Sequence, residues 1–196
     1  MLLTEKLKEY ELVLVSQSPR RRELLEGLEI DFSSTSVDIY ETYPETLSGA
    51  QIPMYIAEAK ASAYEPKLNN STIAITADTV VLFEDDILEK PENAEKAKDM
   101  LRRLSGNTHK VITGVCIFNK NKKRSFHAIS DVTFATLTDE EIDHYVEVYN
   151  PFDKAGSYGV QEWIGYIGIE KIVGSYYNVM GLPVHRLYKE LNAFFG

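Results

Sequence analysis

Apolar runs of strand length alternate with segments of helical spacing along this chain, and that alternation places it in the α/β class. Residues 12–15 form a short apolar run of strand type. Ser18 and Pro19 then open a helix, the serine as N-cap and the proline at the first helical position, with Leu24, Leu25 and Leu28 as its apolar face. Residues 52–65 carry helical spacing through Ile52, Ile56, Ala59 and Ala63. Residues 73–83 read as a buried strand, turning at Asp85-Asp86 into a short partner strand at 87–88. A second amphipathic helix spans 93–104, with Gly106 just past its end. Residues 111–118 and 125–137 flank a turn at 119–123 and predict a hairpin. Thr138 and Glu141 make a capping box for a helix reaching about Tyr149. After Pro151 comes a glycine-rich stretch, and residues 182–195 close the chain as a helix.

At 196 residues the chain fits one domain, or one domain with two lobes, large enough to bury a real core. The uncharged apolar runs, such as 73–77 and 111–118, are too short to span a bilayer. The first fifteen residues are interrupted by charges, unlike a signal peptide, so a cytoplasmic location is expected. Cys116 is the single cysteine, which excludes an internal disulfide and a cysteine metal cluster; its apolar run predicts a buried thiol. The net charge of −9 argues against nucleic-acid and membrane partners, which need a basic surface. An anionic small ligand would need a local cluster of Lys and Arg, together with a divalent cation.

Three segments could carry such chemistry. In the first, a strand passes through Ser16-Gln17-Ser18 into a helix whose first turn holds Arg20, Arg21 and Arg22. Free N–H groups and the positive end of the helix dipole suit phosphate there, and the arginines add bidentate donors. The alternative is a solvated arginine face. In the second, Asp78 lies inside an apolar run. A buried carboxylate is costly unless paired or metal-bound, and such a group is a natural general base for water. The alternative is a strand-end Asp capping a turn. The third segment type is lysines beside breakers or on helices: Lys60, Lys90 before Pro91, and Lys154 before Ala155-Gly156. Each taken singly also reads as a solvated surface lysine. The four histidines, His109, His127, His144 and His185, have no metal-ligand spacing and read as structural or surface. Neither a P-loop nor a Gly-x-Ser-x-Gly elbow occurs.

In order along the chain stand SQSPRRRELL (16–25), AEAKA (57–61), ADTVV (77–81), LEKP (88–91), MLRRLSG (100–106), HKVITGV (109–115), DKAGSYGVQ (153–161) and GSYYNVMGLP (174–183). Together they resemble the Maf family of nucleotide pyrophosphatases over nearly the whole chain. The resemblance implies a single domain over residues 1–196 of Maf-like, ITPase-like α/β type, with a mixed sheet, two lobes and a deep cleft. It implies hydrolysis of a nucleoside triphosphate to the monophosphate and pyrophosphate, with a divalent metal, Mg2+ or Mn2+, and a homodimer. Asp78 matches the family's proton acceptor; Glu41 looks like its acidic residue near the metal, which Asp78 would share. Ser16, Arg21, Lys60, Lys90 and Lys154 match phosphate-facing positions. Arg20, Thr79 and Gln161 match the Arg, Thr and Gln of the subgroup acting on dTTP and UTP, whereas the methyl-GTP subgroup has Trp, Gln and Glu. Gln161 is followed by Glu162 and Trp163, where relatives commonly place small glycines. A one-residue shift there would put Glu at the specificity position. Two other readings stay open: a nucleotide-binding regulator of cell division without turnover, and a pyrophosphatase for modified nucleotides, including purines such as 7-methyl-GTP.

Overall fold

The computed structural model describes residues 2–195. Among them the order is α1 (Leu3–Lys6), β1 (Glu11–Val15), α2 (Pro19–Glu26), β2 (Ser33–Thr35), α3 (Gln51–Tyr64), β3 (Thr72–Phe83) and β4 (Asp86–Leu88). There follow α4 (Ala94–Leu104), β5 (Thr108–Phe118), β6 (Lys123–Phe134), α5 (Asp139–Tyr149), α6 (Trp163–Gly168), β7 (Ile169–Val173), α7 (Tyr176–Met180) and α8 (Val184–Phe194). The seven strands form one mixed sheet in the order β2-β1-β3-β5-β6-β7, with β4 on β3. β1 runs parallel to β2 and β3, while β4 on β3 and β7 on β6 are antiparallel. The chain is α/β, as its alternation predicts. No helix among the described residues is long and apolar enough to cross a membrane.

Contacts group the chain into two compact units. The first holds the chain up to Asp78, Thr113–Ala128 and the residues from Gly181 onward; the second holds Thr79–Ile112 and Ile129–Met180. In the first unit, four of the five β1 residues and the first seven of β3 are buried, the near-continuous apolar pattern of parallel strands covered on both faces. α3 packs on them through small residues, Ala57 and Ala61, against Val13, Val15, Ala74, Cys116 and Phe118. The approach is close enough that a side chain at Gly114 would put its Cβ 2.5 Å from the backbone of Pro53 and Met54. Thr76 buries its hydroxyl by donating to the Ala57 carbonyl at 2.7 Å. Cys116 is fully buried, as its setting predicts.

In the second unit, α4 buries Ala97, Leu101 and Leu104, and α5 buries Ile142, Tyr145 and Val146. The Thr138–Glu141 capping box forms, three acidic residues stand in the first turn of α5, and Asn150 ends it in a left-handed conformation before Pro151. The glycine-rich stretch after Pro151 is more ordered than its composition suggests, for it holds α6, β7 and α7. These elements are short, and β7 is exposed or half-exposed throughout, so neither helical nor alternating apolar spacing marks them in the sequence.

Candidate active site

The N-terminal phosphate candidate folds as its residues suggest. Ser18 caps α2, its hydroxyl accepting the Arg21 N–H at 3.4 Å, and the Ser16 hydroxyl accepts the Ser18 N–H at 3.2 Å. Arg21 does not join a solvated arginine face. Its Nε donates to the Gly181 carbonyl at 2.8 Å and its Nη1 to the Ser16 hydroxyl at 3.4 Å. Burial pulls the guanidinium below its ordinary pKa, the negative charge of Asp78 opposes this, neighbouring Arg20 adds to it, and Glu41 opposes it. Arg20 is half-buried on the same turn and Arg22 is exposed.

Asp78 lies inside β3 rather than at its end, which removes the turn-capping alternative. It is 8% exposed. Its Oδ1 accepts from Lys60 Nζ at 2.9 Å, and the same ammonium lies 2.6 Å from Glu41 Oε1. Helix α3, strand β3 and the irregular segment before α3 thus converge on one cation. Burial raises the Asp78 pKa above the ordinary aspartate value; Lys60, by charge and hydrogen bond, and Arg21 pull it down, and Glu41 adds to the rise. The balance favours a carboxyl that takes a proton more readily than an exposed aspartate, with two cations ready to stabilise its charged form. Among the described residues no three His, Cys, Asp or Glu side chains gather as a metal cage. Glu41 and Asp78 make a pair of carboxylate oxygens around one positive charge.

The structure therefore brings Ser16, Arg21, Glu41, Lys60 and Asp78 together within the first unit. Thr79 follows Asp78 on β3 as the first residue of the second unit, and its side chain is half-buried. Lys90, Lys154 and Gln161 all belong to the second unit. Lys90 is exposed just after β4, and the preceding Glu89 carbonyl accepts the Gly156 N–H at 3.3 Å, which ties the Lys90 and Lys154 segments to each other. Lys154 is buried, with its Nζ 2.7 Å from Asp153 Oδ1 and 3.1 Å from Glu162 Oε1. The turn after it is strained: Ser157 holds φ 64°, a left-handed conformation unfavourable for a residue with a side chain. The Gln161 Oε1 atom is buried and has no hydrogen-bond partner among the described residues. Glu162, by contrast, is engaged by Lys154 and by the Tyr145 hydroxyl, which donates to it. Trp163 packs edge-on against His144, ring centroids 4.9 Å apart.

Tyr145 is a site neighbour that the sequence hides. It sits among Ile142 and Val146 on the apolar face of α5, where an aromatic residue reads as core. Of the histidines, His109 is buried in an aromatic cluster, its Nε2 2.7 Å from the Tyr158 hydroxyl and its ring stacked on Phe134. His127 and His185 are exposed.

The fold and site are those of a mixed α/β protein with a serine-capped, arginine-bearing helix start and one lysine ammonium shared by the buried Asp78 and the exposed Glu41. The chain belongs to the Maf-like protein family, whose model it matches over residues 11–194. It is 56% identical over 195 residues to a Porphyromonas gingivalis protein named dTTP/UTP pyrophosphatase, covering 98% of each chain. A Phocaeicola vulgatus protein of the same name is 54% identical over 190 residues, covering 96% of this chain and 98% of its own. Among solved structures, a nucleoside-triphosphatase (dITP/XTP pyrophosphatase) from Mycobacterium abscessus is similar at 15% identity and a TM-score of 0.43, over 65% of this chain and 75% of that one.

Proposed function

We propose that the protein is a nucleoside triphosphate pyrophosphatase that cleaves dTTP and UTP to the monophosphate and pyrophosphate. The observation that carries the reading is the buried Asp78 held by Lys60, on a chain more than half identical, end to end, to relatives named for this activity. In the reaction, a water oxygen bonds to the α-phosphorus, the bond from that phosphorus to the α–β bridging oxygen breaks, and pyrophosphate leaves with the bond's electrons. Asp78 takes the proton from the water, a role typically worth about 10²–10⁴ in rate. Its raised affinity for a proton suits it to be that base, and Lys60 and Arg21 hold it ionised beforehand. Arg21, Lys60, Lys90 and Lys154 offset charge on the phosphates, and the hydroxyl of Ser16 supplies a further donor.

A divalent cation, Mg2+ or Mn2+, fits Glu41 and Asp78. Mg2+ is usually held by one or two carboxylates together with water and substrate phosphates rather than by an all-protein cage, and a pair of carboxylates sharing one positive charge is that kind of donor set. When bound, the cation neutralises phosphate charge and polarises the reacting phosphoryl group.

For the base, Gln161 is the candidate reader, with Arg20 and Thr79 as its companions. Its unpartnered Oε1 can accept the ring N–H of uracil or thymine while its Nε2 donates to an adjacent carbonyl. The partners Glu162 already has support Gln161 over Glu162 in this role. The net charge of −9 supports an enzyme without nucleic-acid or membrane partners; a cytoplasmic location and a homodimer are part of the same reading. The test is a product assay on purified protein with Mg2+ and dTTP or UTP. Monophosphate and pyrophosphate should appear in equal amounts; orthophosphate with the diphosphate as main products would overturn the reading.

A further inference from the structure

The second unit contains a charged network of which the reaction above uses Lys154 alone. Lys154 is buried between two carboxylates, and Asp153 is exposed for most of its side chain while Glu162 is largely covered, at 57% and 20%. The Glu162 carboxylate is held from its other side. The Tyr145 hydroxyl donates to its Oε2 and in turn accepts the Gly159 N–H at 3.0 Å. Burial and the Glu162 carboxylate together raise the Tyr145 pKa, so its proton stays in place to be donated. Gly159 is needed for this packing: a Cβ there would lie 2.9 Å from the Glu162 carboxyl carbon and 3.1 Å from Lys154 Cε. A backbone amide, a phenol, a carboxylate and an ammonium therefore run in sequence, each ordered by the one before.

We infer that Glu162 is a positioning residue that fixes the Lys154 ammonium through its own hydrogen bond from Tyr145. The inference rests on Lys154 facing substrate phosphate, as proposed above. A lysine has four side-chain torsions, and holding it in one geometry costs rotamer entropy that a bound substrate would otherwise have to supply. Glu162 meets that cost before substrate arrives. Because it acts through the phosphate side of the substrate, its removal should weaken catalysis equally for every base. That separates it from Gln161, whose removal should change base preference.

Glu162→Gln keeps an oxygen for Tyr145 but loses the charge that holds Lys154. It should lower kcat/KM for dTTP and UTP by a common factor of roughly 10- to 100-fold, the scale of a misplaced catalytic group. Tyr145→Phe should give a smaller loss in the same direction. The decisive comparison is a double-mutant cycle. With Lys154→Gln already present, adding Glu162→Gln should change kcat/KM by no more than about 2-fold. An equal loss in both backgrounds would mean that Glu162 merely supports the fold and would overturn the inference. A second arm needs no turnover: limited acetylation with peptide mass spectrometry should find Lys154 acylated several-fold faster in Glu162→Gln, with Lys98, paired to Asp143, as an unchanged control. Unchanged Lys154 acylation would also overturn it. A wild-type protein that releases no pyrophosphate would defeat the proposed function instead, and the acetylation arm would still read the tether.

Discussion

Lys60 and Lys154 each lie between two carboxylates, at 2.6 and 2.9 Å in the first case and 2.7 and 3.1 Å in the second. The two clamps differ in what else touches the better-covered carboxylate of each pair. Asp78 is met by cations, Lys60 in contact and Arg21 by its charge, and burial still lifts its pKa. Glu162 is met by a cation and by a neutral phenol that has its own backbone anchor. A carboxylate balanced between desolvation and positive charge can change protonation during a reaction. One fixed by donors on both sides orients its neighbour instead. On the proposed function, the same lysine–carboxylate chemistry gives a reactive group in one region and a rigid support in the other.

The strongest way to break this contrast is Asp78→Asn, which keeps shape but cannot accept a proton. Turnover should fall by about 10²-fold or more while the nucleotide still binds. A rate near wild type would leave Asp78 a structural residue and erase the difference between the clamps. Next in size is Gln161→Glu, which replaces the amide donor by a carboxylate. It should cut kcat/KM for UTP and dTTP by roughly 5- to 150-fold, the scale of a buried polar group left unpaired, and shift the preference between UTP, dTTP and 7-methyl-GTP. Were Glu162→Gln to move that preference while Gln161→Glu left it alone, the assignment of base reading to Gln161 would be wrong.

The pH dependence of kcat/KM sharpens the contrast further. On the proposed reading activity requires ionised Asp78, so kcat/KM should fall on the acid side as Asp78 takes up its proton; burial moves that limb up, and Lys60, Arg21 and a bound cation move it down. Lys60 holds it down, so Lys60→Met should move the limb to higher pH. A limb that stays in place would show that Lys60 does not set the protonation of Asp78.

The smallest effect concerns His109, a buried polar group in the second unit with no charge partner among the described residues. Burial lowers its pKa to about 4, and its Nδ1 has no partner among the described residues. With the folded value below the unfolded one, the unfolded chain binds the proton first. Stability from neutral His109 is therefore full at neutral pH and is lost as pH falls through the ordinary histidine range toward 4. Between pH 7 and 5.5 the loss is about 1 kcal/mol. Urea unfolding of wild type and His109→Gln at both pH values should show the wild type losing more, with dTTP turnover at neutral pH little changed. Parallel losses would place the pH sensitivity elsewhere.

Much of this architecture can be read before folding. Ser18-Pro19, the Thr138–Glu141 box and the apolar runs of β1, β3 and β5 carry local signals strong enough to survive tertiary context. β2 does not, because Ser33, Ser34 and Thr35 have no apolar face and depend on pairing with Val13–Val15 of β1. At the site, a charge inside an apolar run singles out Asp78 by cost alone. Its pairing with Glu41 is invisible locally, since Glu41 lies in an irregular segment and reaches Lys60 only through the fold. Tyr145 is hidden for the opposite reason: its ring satisfies the apolar face of α5, and only its hydroxyl carries the function assigned to it.

The most direct test of the account is hydrolysis of dTTP in 18O-labelled water, with the products separated and weighed by mass spectrometry. Water activated beside Asp78 for attack at the α-phosphorus places one 18O in thymidine monophosphate and none in pyrophosphate. Label in the pyrophosphate, or in orthophosphate accompanied by the diphosphate, would contradict it.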